Sequence, residues 1–303
     1  MTQAEVPFSH LVPLANEIAL QNYPAATLYV IATPIGNIGD ISLRALHVLS
    51  LADVVACEDT RHTAQLLSRY GLSKQLIAAH QHNEREIAEK LIIRLQAGER
   101  VALVSDAGTP AISDPGARIV DAVRSAGLRV VPLPGPSAAI AALSVSGLIN
   151  DSFHFVGFLP AKTSQRDHAL EQLRHIEATQ VFYEAPHRII ETINALTNLF
   201  EPTRQLIIVR EVTKLFEEIH RCPLQQAASW VAADSNRSRG EFVLVLEGAS
   251  KDEDDDAKSD QVLAILLSEC SVSQAASLAA KITGKKKNEM YTRALEMKKS
   301  SSS

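Results

Sequence analysis

From residue 27 to about residue 147 the chain repeats one pattern: a short β-branched or apolar run, a loop with glycine or polar residues, then a stretch of helical period. The apolar runs predict strands at about 27–33, 53–57, 76–80, 100–105 and 128–133. Helices fall between and after them. Ile119, Val123 and Ala126 share one helical face, and Gly127 closes that helix as Gly71 and Gly98 close two others. Five strand–helix units in succession imply a parallel sheet covered on both faces. Ligands on such sheets bind outside the carboxyl ends of the strands, so the loops that follow strands are where chemistry is sought.

After about residue 153 the pattern changes. LIIVREVT (206–213) and LFEEIHR (215–221) are extended runs nearly in contact, which predicts a hairpin and a mixed sheet, with the strand Phe242–Leu246 closing a second α/β domain. The segment 249–260, rich in Ser and Asp, sets six acids against Lys251 and Lys258 and reads as a solvated linker. Beyond it, 262–267, 273–284 and 288–297 read as three short helices with a turn at Gly284, and residues 261–303 carry seven bases against three acids. Residues 1–26 show no convincing period and read as a partly mobile extension. The predicted organisation is therefore an extension (1–26), a parallel α/β domain (27–148), a mixed-sheet α/β domain (149–248), an acidic linker (249–260) and a small helix-turn-helix-like appendage (261–303).

One loop stands out. VSDAGTPAISDPG (104–116) places two Asp, two Gly and two Pro in a thirteen-residue strand-to-helix connection, where about 2 to 6 residues are usual. Gly108 and Gly116 remove side chains where backbone approaches a ligand, and Pro110 and Pro115 stiffen the rest, although Asp106 and Asp114 could instead cap the turns of an elaborate connection. The loop after the first strand, ATPIGNIGD (32–40), has the same character and Ser42 caps the next helix, but neither GxGxxG nor GK[ST] is present. After the fifth strand, LPGPSA (133–138) opens a helix of small residues, with Ser137 either an N-cap or part of a ligand cradle. The three loops converge on one pocket.

Two strand ends carry mixed charge. ACEDTRHT (56–63) crowds Glu58, Asp59, Arg61 and His62 at a helix start, where an N-cap accounts for one or two of them and a substrate-orienting site for all four. VFYEAPHRI (181–189) ends a strand with Glu184, His187 and Arg188, with Pro186 where a helix begins. Arg210, Glu211, Lys214 and Glu217 surround a turn, as substrate contacts or as cross-strand ion pairs.

Composition narrows the classes. With 303 residues, 46% hydrophobic and 21% charged, the chain has material for two globular domains. A net charge of −5 excludes a basic field over the whole surface, so contact with nucleic acid falls to local patches such as Lys285, Lys286 and Lys287, unless these are only a solvated face. No Lys or Arg precedes Arg44 and no apolar stretch is long enough for a membrane span. Cys57, Cys222 and Cys270 are too few and too far apart for a disulfide framework or a zinc-ligand pair. A cytoplasmic setting without metal is expected.

Together TPIGN, ACEDTR, SDAGTPAISDPG, PGPSA, FVGFLP (155–160), FYEAPHR and GEFVLV (240–245) resemble the tetrapyrrole-methylase-like, class III S-adenosylmethionine methyltransferases over about residues 27–248. Within that superfamily they are similar to the bacterial enzymes that 2′-O-methylate a cytidine ribose in the 16S ribosomal RNA of the small subunit. The resemblance implies two α/β domains with S-adenosylmethionine held between them, and a homodimer. By position it implies that Pro34 and Gly36, then Asp106, Ala107, Gly108, Ile112 and Asp114, then Pro136, Ser137 and Ala138 cradle the methyl donor. Glu58, Asp59 and Arg61 lie on the substrate side. A ribose hydroxyl gains from a base, for which Glu58, Asp59, Glu184 and His187 are the candidates. Arg61, Arg188, Lys214, Lys285 and Lys286 are candidates for contact with RNA phosphates. Neither DNA nor a membrane is an expected partner. Methylation of a small molecule such as a tetrapyrrole, and RNA binding without turnover in ribosome assembly, are the rival readings.

Overall fold

In the computed structural model, which describes residues 11–300, a first sheet is built from five parallel strands. These are β1 (Thr27–Ile31), β2 (Val54–Cys57), β3 (Gln75–Ala78), β4 (Arg100–Val104) and β5 (Arg129–Leu133), in the order β3-β2-β4-β1-β5. Successive strand residues point to opposite faces. Leu28, Val54 and Val101 accordingly enter one core with Leu91, Ile119 and Val123, while Tyr29, Ile31 and Val55 enter another with Val48 and Leu49. The central strands β1, β2 and β4 are dry on both faces, which is why they read as continuous apolar runs. Six helices cover the sheet: α1 (Leu11–Ala19), α2 (Leu43–Leu51), α3 (Thr60–Arg69), α4 (Glu84–Gln96), α5 (Ala117–Ser125) and α6 (Ala138–Val145). Ser42 caps α2 through a bond from Ala45 N at 3.1 Å, and Gly71, Gly98 and Gly127 follow α3, α4 and α5 with positive φ.

Residues 11–26 depart from the predicted extension. They contain α1, and Ile18 and Tyr23 are buried in the core beside Val48, the Tyr23 ring lying 4.9 Å from that of His47. The rest of that prediction, residues 1–10, lies outside the described residues.

The second sheet is mixed, in the order β6-β7-β10-β8-β9. It consists of β6 (Phe153–Phe158), β7 (Thr179–Glu184), β8 (Gln205–Arg210), β9 (Glu218–Pro223) and β10 (Phe242–Leu246), with β6 parallel and β10 antiparallel to β7. β10 comes last in sequence but sits at the centre, and all five of its residues are buried. α7 (Thr163–Leu173), α8 (Ile189–Leu199) and α9 (Leu224–Ala232) pack on Phe182, Leu206 and Leu244. The predicted tight hairpin is looser than expected: β8 stops at Arg210 and β9 starts at Glu218, because Glu211 and Thr213 adopt φ of +51° and +68° and turn the backbone out of extension.

The predicted acidic linker is a further correction, since α10 (Lys251–Glu269) already begins at Lys251. The burial of Leu263 farther along anchors the helix. α11 (Val272–Thr283) opens with a Ser271–Gln274 capping box and ends at Gly284, followed by α12 (Lys287–Ser300). Leu263, Ala276, Ala279, Met290 and Ala294 form the core of this three-helix module. By contacts the chain divides into two units, one comprising residues up to Val145 with Arg210–Glu218, the other Ser146–Val209 with the residues from Ile219 onward.

Candidate functional site

Because β4 lies between β2 and β1, the loops after β1 and β4 leave the sheet side by side, and the loop after β5 leaves next to that of β1. All three are tied together. Thr33 and Gly108 exchange backbone hydrogen bonds of 2.9 and 3.0 Å. The Thr33 hydroxyl donates to Ser105 O at 2.9 Å, the Ser105 hydroxyl to Gly108 O at 3.0 Å, and the Thr109 hydroxyl to Pro136 O at 3.0 Å. Two glycines make this closeness possible. A Cβ on Gly135 would stand 2.9 Å from that of Ala32, and Gly108 turns at φ +81°. Between the ties the long loop carries two non-glycine residues with positive φ, Ala111 (+67°) and Ser113 (+65°), and Ile112 between them is exposed. Ala107 and Gly36 are also exposed, while Pro34, Pro136, Ser137 and Ala138 are half-buried.

Carboxylates of β2 and β4 meet beside these loops. The Asp59 amide donates to Asp106 Oδ1 at 3.2 Å, joining ACEDTR to the long loop. Partial burial, then the charge of Asp106, raise the Glu58 carboxyl above its usual range against the opposing pull of His80. Burial, then the charge of Glu58, push Asp114 up to about 6, with the Ser105 hydroxyl opposing and Asp106 adding to the rise. Asp59 goes the other way. Its carboxylate accepts from Arg61 N at 2.8 Å and His62 N at 3.4 Å, capping α3, and the first of these bonds leads in holding its pKa below the ordinary value. Arg61 lies 3.6 Å from Asp59 with its side chain 88% exposed.

The strand end FYEAPHR is arranged differently. Glu184 is buried and accepts from the Thr192 hydroxyl at 2.5 Å and from its neighbour Ala185 N at 2.8 Å, with Arg188 Nε 3.4 Å away. The same guanidinium donates to Leu159 O and Pro160 O at 2.7 and 3.2 Å, so the pair fastens FVGFLP to the β7–α8 corner. His187 is exposed on that corner. The Lys214 stem packs over Gly36 and its Nζ meets Glu211 at 2.8 Å. In the helical module Lys285 reaches Glu289 at 3.8 Å and Lys286 is exposed.

A fifth strand end, that of β3, belongs with those of β1, β2, β4 and β5, and no motif in the sequence pointed to it. Ala79 N donates to Cys57 O at 2.7 Å, which sets His80 beside Glu58, and His80 N is held by Asn83 Oδ1 at 2.8 Å. The buried Glu84, at the start of α4, accepts from the amide of Gly116 at the end of the long loop. The position after a parallel strand was the available signal.

Residues 27–228 match the family described as Tetrapyrrole (Corrin/Porphyrin) Methylases, and residues 253–298 match the RsmI C-terminal HTH domain. The ribosomal RNA small subunit methyltransferase I of Escherichia coli O157:H7 is 47% identical over 270 residues, covering 89% of this chain and 94% of that protein. The protein of that name from Pseudomonas aeruginosa is 48% identical over 275 residues, covering 90% and 98%. Among solved structures, uroporphyrin-III-C-methyltransferase from Thermus thermophilus superposes with a TM-score of 0.52 at 21% identity, covering 73% of this chain and 94% of that one. Cobalt precorrin-4 methyltransferase does so with a TM-score of 0.54 at 17% identity, covering 73% and 95%. These two share the fold.

Proposed function

The chain belongs to the tetrapyrrole methylase family, and within it to the ribosomal RNA small subunit methyltransferases I, and from that premise we propose that it methylates the 2′-hydroxyl of a cytidine ribose in 16S ribosomal RNA, with S-adenosylmethionine as donor. The observation that carries this reading is a likeness to enzymes of that name along nine-tenths of the chain, the helical module included.

The site's residues fit such a donor. Gly108 and Gly135 let the loops after β1, β4 and β5 close on one another, so a ligand held by these loops meets main chain that is already fixed. When bound, the donor supplies a methyl group already activated on a sulfonium. Pro34, Gly36, Asp106, Ala107, Gly108, Ile112, Asp114, Pro136, Ser137 and Ala138 hold it in this reading. Glu58 takes the proton of the ribose hydroxyl. Of the four candidate bases, Asp59 is engaged in capping α3 and Glu184 in a buried network. Glu58 is exposed beside the donor loop, and its raised pKa makes it a stronger base. Arg61 and Lys286, both exposed, meet RNA phosphates. The protein acts in the cytoplasm as a homodimer.

The test is incubation with methyl-labelled S-adenosylmethionine and separated small ribosomal subunits. Label in a single alkali-resistant ribose linkage supports the reading. Label in a porphyrinoid and none in RNA contradicts it.

A further inference from the structure

We propose that Glu84 is a positioning residue for methyl-donor binding: from outside the donor loop, its carboxylate holds the loop's far end in a strained, binding-ready shape. The inference rests on the donor-binding role given to 104–116 above and adds the element that sustains it.

Loop 104–116 leaves β4 tied at Thr33 and Ser105 and must reach α5 through a difficult path. Ala111 and Ser113 both sit at positive φ, a conformation that side-chain-bearing residues avoid, and the backbone closes on itself through Ala111 N to Pro115 O at 3.2 Å. Strain of this kind persists only where the surroundings over-determine it. Within the loop the opposing contacts are few, for Ala107, Ile112 and Ser113 are exposed. The counterweight lies at the loop's last residue. Gly116 N–H, at the open amino end of α5, points into Glu84 Oε1, while Glu84 Oε2 faces Arg118 Nε at 3.9 Å. The Glu84 side chain is only 7% exposed, and a carboxylate there satisfies a free helix-start amide and is attracted to the positive end of the α5 dipole. Charge-assisted bonds in dry surroundings are the strong ones. Glu84 reaches this place because α4 starts straight after the β3 turn, which Asn83 braces through His80 N at 2.8 Å and Ala78 O at 3.0 Å.

The experiment measures binding of S-adenosylmethionine by calorimetry to the full chain, to Glu84→Ala, to Glu84→Gln, and to Leu91→Ala. The last removes a buried side chain from the same helix without touching the loop. The expected result is Kd raised about tenfold in Glu84→Ala, partly restored in Glu84→Gln, which keeps an acceptor for Gly116, and unchanged in Leu91→Ala. Amide exchange at Gly116 should accelerate in Glu84→Ala while β1 keeps its protection. Unchanged affinity in Glu84→Ala overturns the proposal, as does equal weakening in Leu91→Ala, which would make Glu84 a stability residue only. If Glu84→Ala does not fold, Glu84→Gln decides: wild-type affinity together with wild-type exchange at Gly116 overturns the proposal. Failure of the unaltered protein to bind the donor would instead sink the donor-binding role of the loop, and this proposal with it.

Discussion

Two strand ends carry nearly the same chemistry and use it in opposite ways. ACEDTR follows β2 and FYEAPHR ends β7; each offers an acid, an arginine and a helix start within a few residues. At the first, Asp59 caps the helix and Glu58 is left open, raised in pKa by burial and by Asp106. At the second, Glu184 is enclosed by Thr192, Ala185 and Arg188, and Arg188 is itself fastened to two carbonyls. Residue type at a strand's carboxyl end therefore does not distinguish an open acid from a fastening one. What separates them is whether the carboxylate's acceptor capacity is already filled.

That contrast can be broken by substitution. Glu58→Gln should lower single-turnover methyl transfer to small subunits by about 10²- to 10⁴-fold, the usual worth of a general base, with donor affinity unchanged in calorimetry. Glu184→Ala should behave in the reverse sense. It leaves the buried Thr192 hydroxyl without its acceptor and removes the carboxylate beside the half-buried Arg188, at about 1 to 3 kcal/mol in urea unfolding, while the protein that remains folded turns over normally. A large catalytic loss in folded Glu184→Ala would erase the distinction between the two strand ends.

Smaller effects sharpen it. Asp114 has a folded-state pKa of about 6 against an ordinary 3.8, so its protonated form favours folding at low pH and that contribution is lost as pH rises through about 6. Asp114→Asn should therefore raise the thermal midpoint of the donor-free protein at pH 8, with the gain fading by pH 4.5. An equal gain at both values would show that the carboxylate is not desolvated. Lys286→Ala should leave donor binding unchanged and lower the salt dependence of RNA binding by about one unit of slope. An unaltered slope would remove the helical module from the RNA contact.

The parallel sheet was legible because its central strands, β1, β2 and β4, are buried on both faces. Predicted runs such as 53–57 and 100–105 fall within a residue or two of β2 and β4, and glycines mark the ends of α3, α4 and α5. The loop 104–116 was legible through its length and its Gly and Pro content. The part played by the β3 turn was not, since Asn83 and Glu84 read locally as an ordinary helix start and act through Gly116, thirty-two residues away. Nor could sequence tell that Glu184 is enclosed, because Thr192 and the carbonyls of Leu159 and Pro160 come from other turns of the chain. The acidic start of α10 misled for a related reason: charge density alone reads as a linker, whereas the burial of Leu263 downstream makes the segment helical.

The central claim places the methyl donor on the tied loops of the first unit, with Asp106 beside it. Calorimetric titration of S-adenosylmethionine into Asp106→Lys, with circular dichroism to establish that the variant is folded, tests it most directly. Loss of measurable binding in a folded variant is predicted; affinity equal to that of the unaltered protein would contradict it.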